Sequence, residues 1–152
     1  MEIVQATEND IPTIVEFARK FHQVSPFQDS PFSPEMVELF CQTLLTNGIN
    51  NAILLLSVAE GEPTGMLIAS AQEMSFSTDR FAVELAWWVE PEHRNSPAAQ
   101  RLIEVYEYWA KKVGCTHVMM SSLSIDNQKI LDRWYSRRGY RPTENHYTKE
   151  LS

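Results

Sequence analysis

Cysteine is scarce in this 152-residue chain: Cys41 and Cys115 stand far apart, with no Cys-x-x-Cys spacing. A disulfide framework and a cysteine-based metal site are therefore set aside, and two free buried thiols are expected. His22, His93, His117 and His146 show no ligand spacing either, so no metal is expected. Basic residues are outnumbered, 13 against 20 acidic ones, for a formal net charge of −7. Nucleic-acid binding draws most of its affinity from a basic face, which argues against that class of partner. The acidic balance suits a cationic partner better, such as a polyamine or a lysine-rich protein tail. Long apolar runs are missing too. The longest, Ala52 to Leu56, is far shorter than the roughly 20 residues that cross a bilayer. The first residues, Met1 to Gln5, lack the basic and apolar stretches of a signal peptide. No internal repeat or low-complexity tract interrupts the chain. A cytoplasmic protein without membrane contact is expected, with residues 1–152 forming one domain. Its 43% hydrophobic residues are enough for one sizeable core.

The periodicity predicts a definite order of elements. Ile3 and Val4 start a short strand. Ile11, Ile14, Val15, Ala18 and Phe21 recur at helical spacing, with Pro12 tolerated in the first turn. The three prolines between Gln23 and Pro34 predict an irregular loop. Ser33 and Pro34 then open a second helix as N-cap and first helical residue, and Asn47-Gly48 stops it. Ala52 to Ala59 and Thr64 to Gln72 read as a hairpin around Glu60-Gly61-Glu62-Pro63, and Phe81 to Val89 as the next strand. Ser96 to Val113 is a strongly amphipathic helix, with Ala99, Leu102, Ile103, Tyr106, Trp109, Ala110 and Val113 on one side and Gly114 behind it. His117 to Ser121 reads as a short buried strand, Asp126 to Arg138 as a helix ended by Gly139, and Asn145 to Leu151 as an alternating last strand. The hairpin section is expected to be antiparallel, whereas the later strand–helix–strand units need crossovers and parallel pairing. The fold class is α/β: a mixed, mostly antiparallel central sheet with a parallel pair and helices on both faces.

Two segments carry the chemical signal. In the first, strand 81–89 runs through a tight turn into a helix start. The free N–H groups and positive dipole end of a helix make a seat for a pyrophosphate. Arg94 precedes that helix, Ser96 is a natural N-cap, Arg101 lies one turn in, and Ala98 and Ala99 are small enough for close approach. An ordinary helix start whose alanines pack on the sheet reads equally well. The second segment, Asp126 to Tyr140, is by itself an amphipathic helix.

Taken together, the two segments resemble the GNAT superfamily of N-acetyltransferases, in particular its small bacterial and phage members. The acetyl-CoA motif of that family, Arg/Gln-x-x-Gly-x-Gly/Ala after a strand often ending Val-x-Pro-Glu, is matched by Val89-Glu-Pro-Glu-His-Arg94-Asn-Ser-Pro97-Ala-Ala99 at Arg94 and Ala99. Its Tyr-x-x-x-Gly-Phe/Tyr signature is matched by Tyr135 to Gly139-Tyr140. The order of elements agrees over nearly the whole chain. Pro97 departs from the pattern by standing in place of the first glycine, which removes one amide donor.

The resemblance implies an acyl-CoA N-acyltransferase fold with a splayed parallel pair. It also implies an acetyltransferase that uses acetyl-CoA and no metal to acylate a primary amine on a small molecule or a protein, with a homodimer as a further possible association. Glu84 would be the base that takes the amine proton, being flanked by apolar residues that raise its pKa. Tyr135 would protonate the leaving thiolate. Trp88 and Val89 would pair with the pantetheine arm, with the Val89 N–H serving the oxyanion. Arg94, Asn95, Ser96, Ala98 and Ala99 would surround the pyrophosphate, assisted by Arg101. Asn127 and Gln128 share the place of a family asparagine that often precedes the tyrosine. The acceptor would meet the loops 24–34 and 74–80, where Phe27, Asp29, Phe32, Phe76 and Asp79 lie. The alternative is a catalytically weak or inactive module of the same fold that acts through a partner or ligand.

Overall fold

The computed structural model describes residues 1–123 and 128–151, and the chain divides into two compact units, Met1–Ser121 and Ser122–Ser152. In the first unit β1 (Glu2–Gln5) leads into α1 (Ile11–Val24) and α2 (Pro34–Asn47). β2 (Ala52–Ala59), β3 (Glu62–Glu73) and β4 (Arg80–Val89) follow as a meander, and α3 (Ala98–Lys112) crosses over to β5 (His117–Met119). The five strands stand in sequence order, antiparallel except for the last pair, β4 and β5. The sheet is thus mixed, with its parallel pair at one end.

Alternation along the strands divides the core into two layers. Ala52, Leu54, Leu56, Met66, Ile68 and Trp88 pack with Ile14, Val15 and Phe17 of α1 and with Cys41 and Leu44 of α2. Ile53, Leu55, Leu67 and Ala69, equally buried, belong to the opposite face, which α3 covers with Leu102, Ile103, Tyr106 and Trp109. This double covering explains why β2 reads as an unbroken apolar run although it is antiparallel. Cys41 is fully buried and Cys115 half-buried, and both are free thiols. Burial pushes the Cys41 thiol up to about 11.

The helix ends follow local chemistry. The Ser33 hydroxyl accepts from Met36 N–H at 3.3 Å, capping α2 ahead of Pro34. At the end of α3, Gly114 (φ 85°) donates to Lys111 O and Cys115 N–H reaches back to Ala110 O at 2.9 Å, the paired bonds of a Schellman stop. Arg80, at the first residue of β4, ties three segments together. Its guanidinium donates to Val113 O at 2.7 Å, to Asn50 O at 2.8 Å and to Asn51 Oδ1 at 2.7 Å. Trp109 Nε1 donates to Ile49 O at 2.6 Å in the same region, fastening the loop before β2 to α3.

Two expectations need correction. β5 stops at Met119 and is exposed at His117, so it is shorter and less buried than the predicted strand 117–121. Residues 145–151 form no strand; the whole stretch 141–151 is exposed and enters no sheet. Alternating side chains become a strand only where a partner edge takes up the backbone hydrogen bonds. The predicted helix 126–138 is observed as α4 (Gln128–Arg137), with the start of its predicted range outside the described residues.

Gly65 of β3 leaves no room for a side chain. A Cβ there would lie 2.7 Å from the carbonyl oxygen of Trp88 and 3.2 Å from Val89 Cα. Gly65→Ala is therefore expected to lower the urea midpoint, at a cost of roughly 1–3 kcal/mol. An unchanged midpoint would show that β3 and β4 yield at this point.

Candidate active site

The site is organised by an irregularity in β4. Ile68 pairs with Ala86 but Ala69 pairs with Glu84, so Leu85 is an extra residue in the ladder, a β-bulge. The bulge shifts the phase of the strand. Ala86 and Trp88 belong to the α1–α2 face, while Ala82 and Glu84 lie on the face of α3. Pairing of β4 with β5 covers only Phe81–Val83 opposite His117–Met119. Glu84 is thus the first residue of β4 beyond the parallel ladder.

The Glu84 side chain is only 8% exposed and accepts a hydrogen bond from Ser121 N–H at 3.0 Å. Removal from water raises its pKa from 4.5 to about 7, against the opposing effect of that amide. Tyr106, fully buried on α3, donates its hydroxyl to Met119 O at 3.0 Å; burial, with smaller contributions including the charge of Glu84, pushes its own pKa upward.

At the other end of β4, Glu90 N–H donates to Thr64 O at 2.9 Å, so residue 90 turns its backbone towards β3. Alternation then directs the N–H and C=O of Val89 to the opposite edge, away from β3. Arg94 Nε donates to that Val89 carbonyl at 3.0 Å, and its guanidinium lies 4.9 Å from the Trp88 ring centroid. Trp88 pairs with Met66 and turns its carbonyl to Gly65, so its backbone serves β3 and only its side chain meets Arg94. Of the two residues, Trp88 thus has its backbone taken up by β3, whereas Val89 turns its own away from β3. Lys20 of α1 donates to Glu90 and forms an ion pair with it. That hydrogen bond holds the ammonium proton above its ordinary range.

A 3₁₀ turn over Pro91–His93 joins β4 to the start of α3. Asn95 and Arg101 are exposed here, Ala98 is buried and Ala99 half-buried. The Ser96 hydroxyl donates to His93 O at 2.6 Å and accepts from Ala98 N–H at 3.2 Å. Pro97 has φ −65° and ψ −4°, a helical geometry, and lacks an N–H. The first backbone bond of the helix runs from Arg101 N–H to Pro97 O, which leaves the amides of Ala99 and Gln100 ahead of it. The loop thus offers two amides at the helix mouth, with those of residues 97 and 98 absent or already engaged.

In the expected acceptor loops, Phe27 is 48% and Phe76 85% exposed. Phe32 packs against His22 at 5.5 Å and beneath the Arg19 guanidinium at 4.7 Å, so it anchors its loop. Asp29 is exposed and Asp79 half-buried. Among the described residues, the buried His22 Nε2 and Trp88 Nε1 have no hydrogen-bond partner. Such atoms cost about 1–3 kcal/mol unless water or a ligand meets them.

Tyr135 and Gln128 lie in the second unit, and Asn127 lies outside the described residues. Gln128 Nε2 donates to Ser122 Oγ at 2.7 Å and to Asp132 Oδ1 at 2.9 Å. Arg138 stacks on Trp134 at 3.6 Å. The signature Tyr135 to Tyr140 is itself a helix stop. Gly139 (φ 84°) donates to Ser136 O at 3.1 Å, and Tyr140 N–H reaches Tyr135 O at 3.2 Å. The two tyrosine rings meet at 5.5 Å, the apolar contact that accompanies a Schellman motif.

Residues 14–140 match the profile of the Acetyltransferase (GNAT) family. The chain belongs to that acetyltransferase family. No curated protein sequence matches it. Among solved structures, a probable acetyltransferase is similar with a TM-score of 0.77 at 22% identity, covering 100% of this chain and 99% of the other. The apo aminoglycoside antibiotic 6'-N-acetyltransferase of Acinetobacter haemolyticus is similar with a TM-score of 0.75 at 24% identity, covering 100% of both chains. An aminoglycoside acetyltransferase from an uncultured soil metagenomic sample, in complex with sisomicin, has a TM-score of 0.73 at 19% identity, covering 99% of this chain and 96% of the other. Among the described residues no helix is long and apolar enough to cross a membrane.

Glu84 makes stability depend on pH. The folded chain binds this proton more tightly than the unfolded chain. The contribution is therefore complete below about pH 4.5 and is lost as pH rises through about 7. Relative to the natural chain, Glu84→Gln is expected to be favoured at pH 8 over pH 4.5 by up to roughly 3 kcal/mol. Melting temperatures at the two pH values check this, and an identical difference at both would contradict a carboxyl that stays protonated to neutrality.

Proposed function

We propose that the protein is an acetyl-CoA-dependent N-acetyltransferase that moves an acetyl group to a primary amine, on a small molecule or a protein, by direct attack on the thioester. The observation that carries this reading is Glu84: a carboxyl with its pKa near 7, buried where β4 leaves β5. An alkylamine is mostly protonated at neutral pH and must lose a proton before it attacks. A carboxylate tuned to this range accepts that proton efficiently.

The residues present also fit a coenzyme A group. Ala99 and Gln100 offer amides at the mouth of α3, Ala98 and Ala99 place no bulky side chain over them, and Val89 turns its N–H to the open edge of β4. The thioester supplies the activated acyl group. The Val89 N–H donates to the acyl oxygen as it gains charge. Arg94, with Asn95, Ser96 and Arg101 around it, supplies charge and hydrogen bonds for phosphate. Tyr135, assigned by the family signature, gives a proton to the departing sulfur. Gln128 or Asn127 is a further cofactor contact on the same grounds. The net charge of −7 favours a cationic acceptor, and the setting is cytoplasmic, in one functional domain.

One observation favours the second reading, a weak or inactive module that acts through a partner or ligand: Pro97 has no N–H, and the Ser96 hydroxyl takes that of Ala98. A thermal-shift titration with acetyl-CoA, followed by thiol release with a panel of amines, separates the two. Binding to the native chain raises the melting temperature. A shift without thiol release from any amine supports the module. No shift at all removes the enzymatic reading.

With an active amine in hand, Glu84→Gln is expected to lower kcat/KM on the order of 10²-fold near pH 7. The loss narrows towards pH 10, where the amine is deprotonated unaided. An equal loss at every pH would exclude Glu84 as the base. Tyr135→Phe is expected to slow kcat while leaving the Kd for acetyl-CoA within about twofold, as befits a group that acts on the departing sulfur alone.

A further inference from the structure

The carboxyl of Glu84 is held by an amide that belongs to no strand. β5 ends at Met119, and Ser121 lies two residues beyond the last rung of its ladder with β4. Two residues before it stands Met119, where the Tyr106 hydroxyl donates to the backbone carbonyl at 3.0 Å. Tyr106 is fully buried on α3 and cannot swing to solvent. Two residues span at most about 7 Å, so holding Met119 O restricts where Ser121 N–H points.

We infer that Tyr106 is a positioning residue for Glu84: through the Met119 carbonyl it holds the end of β5 so that the Ser121 amide meets the carboxylate. The hydroxyl completes a short chain from helix to strand end to carboxyl: Tyr106 to Met119 O, then Ser121 N–H to Glu84 Oε2. Around Glu84, β3 presents the apolar Ala69 in register, α3 presents Tyr106, and the segment after β5 presents the Ser121 amide. Among the described residues no charged side chain contributes to the raised pKa of Glu84, which reflects desolvation opposed by the Ser121 bond. Around Tyr106, the groups that act by charge are Glu84, Cys115 and Glu107. Among the described residues this amide favours the ionised carboxyl, and the phenol stands one link behind it. Sequence alone marks Tyr106 only as one member of the apolar stripe of α3.

The inference extends the reading of Glu84 as the base, and its test is direct titration, which does not require Glu84 to be one. In Tyr106→Phe the ring still fills its place and only the hydroxyl is lost. The Glu84 carboxyl carbon is followed by NMR across pH 5 to 9 in the natural chain, in Tyr106→Phe and in Ser121→Pro, which deletes the amide proton outright. Both variants are expected to raise the Glu84 midpoint by about half a unit or more, a threefold or greater rise in proton affinity. The acid limb of kcat/KM is expected to move by the same amount. If Ser121→Pro raises the midpoint and Tyr106→Phe leaves it in place, the inference is overturned, whatever either does to melting temperature. A shifted midpoint with an unmoved acid limb upholds the positioning role and removes Glu84 from the base assignment instead.

Discussion

A carboxyl kept out of water at the point where two parallel strands part is the constraint to which the first unit is built. An isolated buried carboxylate is costly, and the group responds by holding its proton up to about pH 7 rather than by finding a cation. Three features create this state together. The bulge at Leu85 turns Glu84 onto the face of α3, and the ladder with β5 ends one residue earlier, at Val83. α3 then covers that face with Leu102, Ile103 and Tyr106, all buried. An arginine or lysine beside Glu84 would lower its pKa and make its carboxylate a weaker base.

The remaining polar contacts hold the two ends of β4. At the start, Arg80 ends on two backbone carbonyls and an asparagine side chain and has no acidic partner among the described residues. Its charge is spent on fastening the loop before β2, the end of α3 and the first residue of β4 to one another. Lys20 and Glu90 pin α1 to the residue after β4, and Arg94 folds back on Val89 and Trp88. The ion pair adds little stability, since the Lys20 side chain stays 40% exposed although that of Glu90 is mostly buried. Its effect is geometric: it fixes the point where strand turns into loop, and hence the approach to the amides of α3.

The sequence made the elements up to β4 legible, because caps, glycines and periodicity agreed there. Ser33-Pro34, Gly48 and Gly114 mark helix boundaries through local chemistry, and local chemistry is what a sequence displays. The bulge was not legible. An unbroken strand would put Glu84 and Trp88 on one face, and nothing in Val-Glu-Leu-Ala announces the extra residue. The Arg80 clamp was hidden for a related reason, since its acceptors are backbone carbonyls distant along the chain. Tyr106 was visible as core but not as a donor. The alternation of residues 145–151 misled because it specifies faces, whereas a strand also needs an edge to pair with. Pro97 was rightly read as a missing donor. What that reading did not contain is that α3 starts at Ala98 with Pro97, not Ser96, as its N-cap, and that the Ser96 hydroxyl engages the Ala98 amide as well.

The two family signatures in this chain carry unequal weight as evidence for chemistry. Tyr135, Gly139 and Tyr140 satisfy the demands of a Schellman stop by themselves: a glycine at positive φ, two paired backbone bonds and an apolar contact across them. A helix that must end here would keep most of that pattern without any reaction to perform. The loop before α3 is different. The helix start accounts for Ser96, Pro97 and the free amides of Ala99 and Gln100, but it does not require small residues at 98 and 99 beside those amides, nor a parallel ladder that stops at Val83, short of Val89. Nor does packing account for Glu84, since an apolar residue at that position would avoid the cost of burying a carboxyl. The case for acyl transfer therefore rests on the β4 edge and the mouth of α3, where features that folding does not explain stand side by side.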